Sequence, residues 1–136
     1  MSAAVRHSMG SVQSRRAIVE RAEALVRARP ADAIHIAALS RFVGISERGL
    51  RNAFYTVRGL SPKRSLLTMR LSDVRLALVT STAAPTTVTQ VATQFGFYEL
   101  GRFAVAYRQA FGEAPSQSLY AHLKSSKFGL SAKERG

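Results

Sequence analysis

Two glycines 52 residues apart, Gly44 and Gly96, constrain this chain more than any other feature, because their surroundings repeat. The first copy reads LSRFVGISERGLRNAFYTVRGLSP from Leu39 to Pro62. The second reads VATQFGFYELGRFAVAYRQAFGEAP from Val91 to Pro115. The second copy carries one extra residue after its glycine. From there Leu50 and Phe103, Phe54 and Tyr107, Gly59 and Gly112, and Pro62 and Pro115 align at an offset of 53. Such agreement in one order marks an internal duplication. At 136 residues the chain has room for one domain or two very small ones.

Each copy has the pattern of two helices around a tight turn. Before the glycine, apolar residues recur at helical spacing: Ile36, Leu39 and Val43 in the first copy, Val88, Val91, Ala92 and Phe95 in the second. The glycine then ends that helix, as a left-handed residue does. Small residues four before it, Ser40 and Ala92, let the two helices approach closely. Ser46 is the expected N-cap of the next helix. That helix places Leu50 and Phe54, or Phe103 and Tyr107, four apart on one face, and Gly59 or Gly112 stops it. A short helix, a glycine turn and a longer helix make a helix-turn-helix unit.

The remaining segments read as helices that complete these units. Ser14 to Arg29 carries Ile18, Ala22 and Leu25 on one face and ends at Pro30. Ser61 and Pro62 are a cap and a first helical residue, and Leu67, Leu71, Val74 and Leu78 form a stripe up to about Thr80. Ala84-Pro85 breaks the chain, and Thr87 caps the next helix. Pro115 to Lys124 is a short last helix with a frayed start, since Ala114 stands where Ser61 caps in the first copy. The predicted fold is all-α: about seven helices in two helix-turn-helix units joined by a long linker helix. The boundaries are a flexible segment 1–13, a first subdomain 14–60, the linker 61–81, a second subdomain 82–124 and a disordered basic tail 125–136. A helix of roughly twenty residues spans ~30 Å. One turn of B-DNA, the separation of successive major grooves on one face, is ~34 Å. Two unlike readers joined in this way would read an asymmetric site.

Composition narrows the function. The formal charge is +12, spread over every segment, which favours a polyanionic partner: DNA, RNA or an acidic membrane surface. A bland alternative is codon bias, because the chain is rich in both Arg and Ala. No apolar run approaches membrane-spanning length, and MSAAVRHSMGSVQSRR has no apolar core of a secretory signal. Cysteine is absent, which excludes disulfides and thiolate metal sites. These features favour a soluble cytoplasmic protein. His7, His35 and His122 sit in different segments without metal-ligand spacing, and no phosphate-binding loop, nucleophile elbow or HExxH motif occurs. Glu20 and Glu23 are explained by i, i+4 pairing with Arg16 and Arg27. No enzyme activity, metal or cofactor is expected. Phe54, Phe103, Tyr107 and Phe111 fall at helical spacing and are assigned to packing, as is Phe97. RNA binding is disfavoured, because no exposed aromatic platform for unpaired bases is expected.

SERGLRNAF with GLSP, Arg70-Leu71, and VATQFGF with GRFAVAYRQAFGEAPS together resemble the DNA-binding domain of the AraC/XylS family of bacterial transcription regulators. The resemblance covers roughly Ala17 to Leu123, and the RNAF and LGRF wording is similar to the branch containing the ethanolamine-operon regulator. It implies two helix-turn-helix units bridged by a long helix and bound to successive major grooves of double-stranded DNA. Base-facing residues of the first reader would be Arg48, Arg51 and Asn52, whose types suit guanine and adenine. In the second reader they would be Leu100, Gly101, Arg102 and Val105, with Leu100 and Val105 toward thymine methyl groups and Arg102 as the polar contact. Candidate phosphate contacts at helix ends are Ser46, Arg58, Ser61, Lys63, Arg64, Thr87, Tyr98 and Arg108. RNA polymerase is an expected protein partner. Family members usually carry a sensor domain ahead of this module, so a truncated or effector-less form is expected. The competing reading is a non-enzymatic protein-interaction module with weak DNA binding.

Overall fold

The computed structural model describes residues 12–81 and 86–121. Among them are seven helices and no strand, the expected all-α class. They are α1 (Val12–Ala28), α2 (Ile36–Val43), α3 (Glu47–Arg58), α4 (Pro62–Thr80), α5 (Val88–Gln94), α6 (Leu100–Phe111) and α7, helical over 115–121. The chain divides into two compact units between Met69 and Arg70, inside α4. The expected break at Ala84-Pro85, most of the flexible segment 1–13, His7, His122, the end of the last helix at Lys124 and the tail from 125 lie outside the described residues.

In the first unit α1 packs along α3. Its buried row is Val19, Ala22 and Val26, closed against Leu50, Ala53 and Phe54; Ile18 and Leu25 only flank it. Of the expected face Ala22 is buried, while Val19 and Val26 hold the places expected for Ile18 and Leu25. Helix α1 also begins at Val12, two residues before the expected start. Leu39 and Val43 of α2 and Leu66 of α4 complete this core. Ser40 is buried but satisfied within its own helix, donating to the Ala37 carbonyl at 2.8 Å. Glu23 has a partner that local spacing does not provide. Both its oxygens accept from Arg58, 35 residues further along the chain.

The second unit buries Leu71, Val74 and Leu78 of α4, Val91 and Ala92 of α5, Phe103 and Tyr107 of α6, and Leu119 of α7. Four aromatic rings run through it as a ladder, Phe97–Phe103–Tyr107–Phe111, with centroid separations of 4.9, 5.8 and 4.7 Å. Tilted and edge-on rings at these distances attract through their quadrupoles as well as by burial. The frayed start expected for α7 has a substitute for the missing cap. The Gln117 side chain accepts the Ala114 N–H at 2.7 Å, and Pro115 is buried.

Helix α4 contributes to both cores: Leu71, Val74 and Leu78 are buried as expected, and only Leu67 of the expected stripe is not. Leu66 is fully buried whereas Leu67 is 37% exposed. The buried residues Leu66, Arg70, Val74 and Leu78 follow one i, i+4 row. Arg70 is a charged residue buried within that row.

Candidate nucleic-acid interface

Sequence sets the turn of the first unit directly. Gly44 adopts φ +84°, and the N–H groups of Gly44 and Ile45 both donate to the Ser40 carbonyl, at 2.9 and 3.0 Å. A side chain would be strained in that left-handed conformation. Ser46 then caps α3 by accepting the Gly49 N–H at 3.0 Å, and Glu47 in the first turn complements the helix dipole. With Leu50, Ala53 and Phe54 inward, the opposite side of α3 presents Arg48, Arg51, Asn52 and Tyr55 to solvent. Their spacing of three, four and seven residues makes one continuous strip. The three base-contact candidates of the first reader are thus brought together. Tyr55, whose hydroxyl is suited by type to a phosphate, joins them at the same helical spacing.

Two polar clamps hold this helix against α1. Arg15 Nη1 donates to Thr56 Oγ1 at 3.2 Å. Arg58 donates from Nε and Nη2 to the two Glu23 oxygens at 3.0 and 2.8 Å. The bond to Glu23 raises the Arg58 pKa above its ordinary value, with burial opposing. A guanidinium bound in this two-pronged way is oriented by the fold. Arg58, expected at a phosphate, faces a carboxylate.

The second unit builds its turn differently. Thr87 and Gln90 form a reciprocal capping box at the start of α5, with both bonds at 3.1 Å. At the other end Gly96 takes φ +85°, and the Phe97 N–H returns to the Ala92 carbonyl at 2.9 Å. The extra residue of the second copy lies in this turn. Glu99 occupies the N-cap position of α6 without capping it; its carboxylate pairs with Arg102 at 2.9 Å on an open surface. Leu100, Gly101, Arg102 and Val105 are all exposed, and Ala104 lies among them. Leu100 is 39% and Val105 59% exposed, high values for apolar side chains with no cover. At the far end of α6, Tyr107 is buried and donates to Ser118 Oγ at 2.7 Å, which donates to Glu113 Oε2 at 2.9 Å. Burial pushes the Tyr107 pKa up, and the bond to Ser118 opposes this.

The other phosphate candidates fall at helix ends. Lys63 and Arg64 are exposed in the first turn of α4, and Ser61 accepts the Arg64 N–H at 3.3 Å. Ser46, Ser61 and Thr87 accept backbone bonds as caps, which leaves each hydroxyl proton to donate outward. Tyr98 and Arg108 are exposed in the second unit. No group of His, Asp, Glu or Cys suited to a metal occurs among the described residues.

Residues 39–119 match the family described as "Helix-turn-helix domain". The chain is 35% identical over 102 residues to the probable thc operon regulatory protein of Rhodococcus erythropolis, covering 75% of this chain and 31% of that protein. It is 37% identical over 86 residues to the XylDLEGF operon transcriptional activator of Pseudomonas putida, covering 63% of this chain and 27% of that protein. The chain therefore spans about a third or less of the length of these relatives. Its fold matches the crystal structure of a probable AraC family transcriptional regulator from Rhodopseudomonas palustris. That match has a TM-score of 0.66 and 38% identity, over 77% of this chain and 96% of that one.

Proposed function

Because the chain belongs to the AraC-type helix-turn-helix family of DNA-binding transcription regulators, we propose that it reads two successive major grooves of duplex DNA in a sequence-specific way, one with α3 and one with α6. The observation that carries this reading is the strip Arg48, Arg51, Asn52 and Tyr55, exposed along a helix that a capped glycine turn and two polar clamps hold in place. Arg48 and Arg51 are assigned to guanine and Asn52 to adenine, each able to make a bidentate contact. Leu100, Gly101, Arg102 and Val105 are assigned to the second groove. Lys63 and Arg64, the capping hydroxyls of Ser46, Ser61 and Thr87, and Tyr98 and Arg108 are assigned to phosphates, which supply affinity without sequence information. The relatives from Pseudomonas putida are named transcriptional activators. RNA polymerase is accordingly the protein partner proposed here, at the nucleoid. No helix among the described residues is long and apolar enough to cross a membrane.

Selection from a random duplex pool with the purified chain, at low and physiological salt, tests the proposal. Two short enriched motifs about one helical turn apart are expected. Arg48→Ala should cost about 1–3 kcal/mol of binding and relax preference at one of them. Binding that is salt-dependent but without any enriched sequence would instead support a protein-interaction module, a reading favoured by the lack of hydrogen-bonding groups along much of α6.

A further inference from the structure

We infer that α6 reads its groove by apolar contact, with Gly101, Ala104 and Val105 fitted against the C5-methyl groups of thymines. The inference rests on the DNA-binding reading above and concerns what chemistry the second reader recognises.

The register of the duplication carries the argument. At the offset of 53, Arg48, Arg51, Asn52 and Tyr55 of α3 correspond to Gly101, Ala104, Val105 and Arg108 of α6. All eight are exposed apart from the caps and cores around them, so α6 presents a strip in the same helical register as α3. Three residues that hydrogen-bond have been replaced by three that cannot. Arg102 does not restore the lost chemistry in place. It corresponds to Gly49, where an added Cβ would meet Ser46 Oγ at 3.3 Å, so it stands beside the strip, with its guanidinium 2.9 Å from the Glu99 carboxylate on an open surface. Packing does not explain the small residues either. A methyl group added at Gly101 would meet no atom within 4 Å. A helix with such residues on its outer strip brings its backbone closer to base edges than an arginine strip does. In the major groove thymine alone offers an apolar group, the C5-methyl, and alanine and similar side chains are its usual contacts. Ala104, absent from the base-facing set read from the sequence, is the central residue of this strip.

The test uses the full chain and the duplex obtained by selection. Each thymine of the α6 half-site is replaced in turn by deoxyuridine, which removes the methyl and keeps every hydrogen-bonding group. Dissociation constants are measured by fluorescence anisotropy at one salt concentration. One or two positions should weaken binding by about fourfold each, the effect of one buried methyl. With the Val105→Ala chain the same replacement should cost less, because the contact is already reduced. A cytosine placed at a sensitive position should bind better when it carries a 5-methyl group. Unchanged binding at every thymine, while the α3 half-site still responds to Arg48→Ala, would overturn the inference and leave the DNA-binding reading standing. A selection that returns a single motif would overturn the inference and the two-groove reading together, leaving sequence-specific binding to α3 alone. A chain that binds no duplex at any salt would remove both.

Discussion

Arg51 and Arg58 lie seven residues apart on α3 and differ only in what surrounds them. Arg51 extends from the solvent strip, whereas Arg58 binds both oxygens of a carboxylate on α1. The sequence presents both as basic residues on an amphipathic helix, Arg51 expected at a base and Arg58 at a phosphate. Only the fold brings Glu23 within reach, so this distinction was not legible beforehand. It has a measurable consequence. Arg58→Ala should lower stability by about 1 kcal/mol, a value reduced from that of a buried pair because the guanidinium is partly open to solvent. It should leave the salt dependence of DNA binding nearly unchanged. Lys63→Ala should do the reverse, lowering the slope of log affinity against log salt by about one and leaving the melting temperature unaltered. Tyr107 makes a second residue-level case. Its folded-state pKa is raised, so the associated stability is complete below the unfolded value of about 10 and is lost as pH rises through the folded value. Urea unfolding at pH 7 and pH 11 should show that loss. Tyr107→Phe should be about 1 kcal/mol less stable at pH 7, having lost the bond to Ser118, and should lose less between the two pH values.

Elements were the most legible level. The two turns, the cap at Ser46, the cap at Thr87 and the inward faces of α3 and α6 follow from local chemistry, and the structure has them as the spacing predicts. Errors arose where a polar side chain of the helix itself decided the outcome. Arg70 interrupts the apolar row of α4, and Gln117 caps a helix whose expected capping position is an alanine. The site was partly legible for the same reason. The polar strip of α3 follows from amphipathicity, while the place of Ala104 follows from carrying the register of α3 onto α6, a step that residue-type chemistry does not prompt. That register supports a transplant. The triple substitution Gly101→Arg, Ala104→Arg and Val105→Asn adds groups to an open surface of α6 and should leave the fold intact. A repeat of the duplex selection should then return, in the second half-site, the motif preferred by the first. An unchanged second motif would show that the strip is not the part of α6 that reads bases.

At the scale of the whole molecule, one helix serves two cores, with Leu66 in the first and Leu71, Val74 and Leu78 in the second. Of the +12 charge, residues 1–69 carry +8 and residues 70–136 carry +4, so the sequence-independent attraction to DNA is stronger in the first unit. On the proposed assignments the two readers discriminate unequally, and that inequality has a statistical side. Three hydrogen-bonding side chains and a few methyl contacts distinguish only a handful of base pairs. A genome offers ~10⁶ or more competing positions. By arithmetic alone, near-matches to so short a word recur many times in every chromosome. A regulator built this way spreads its occupancy over a population of sites and ranks them, and no single address captures it. Chromatin immunoprecipitation should therefore return a long, graded series of peaks that share the α3 motif firmly and the α6 motif loosely. In the transplanted chain, which asks twice for the stricter word, the series should shorten sharply.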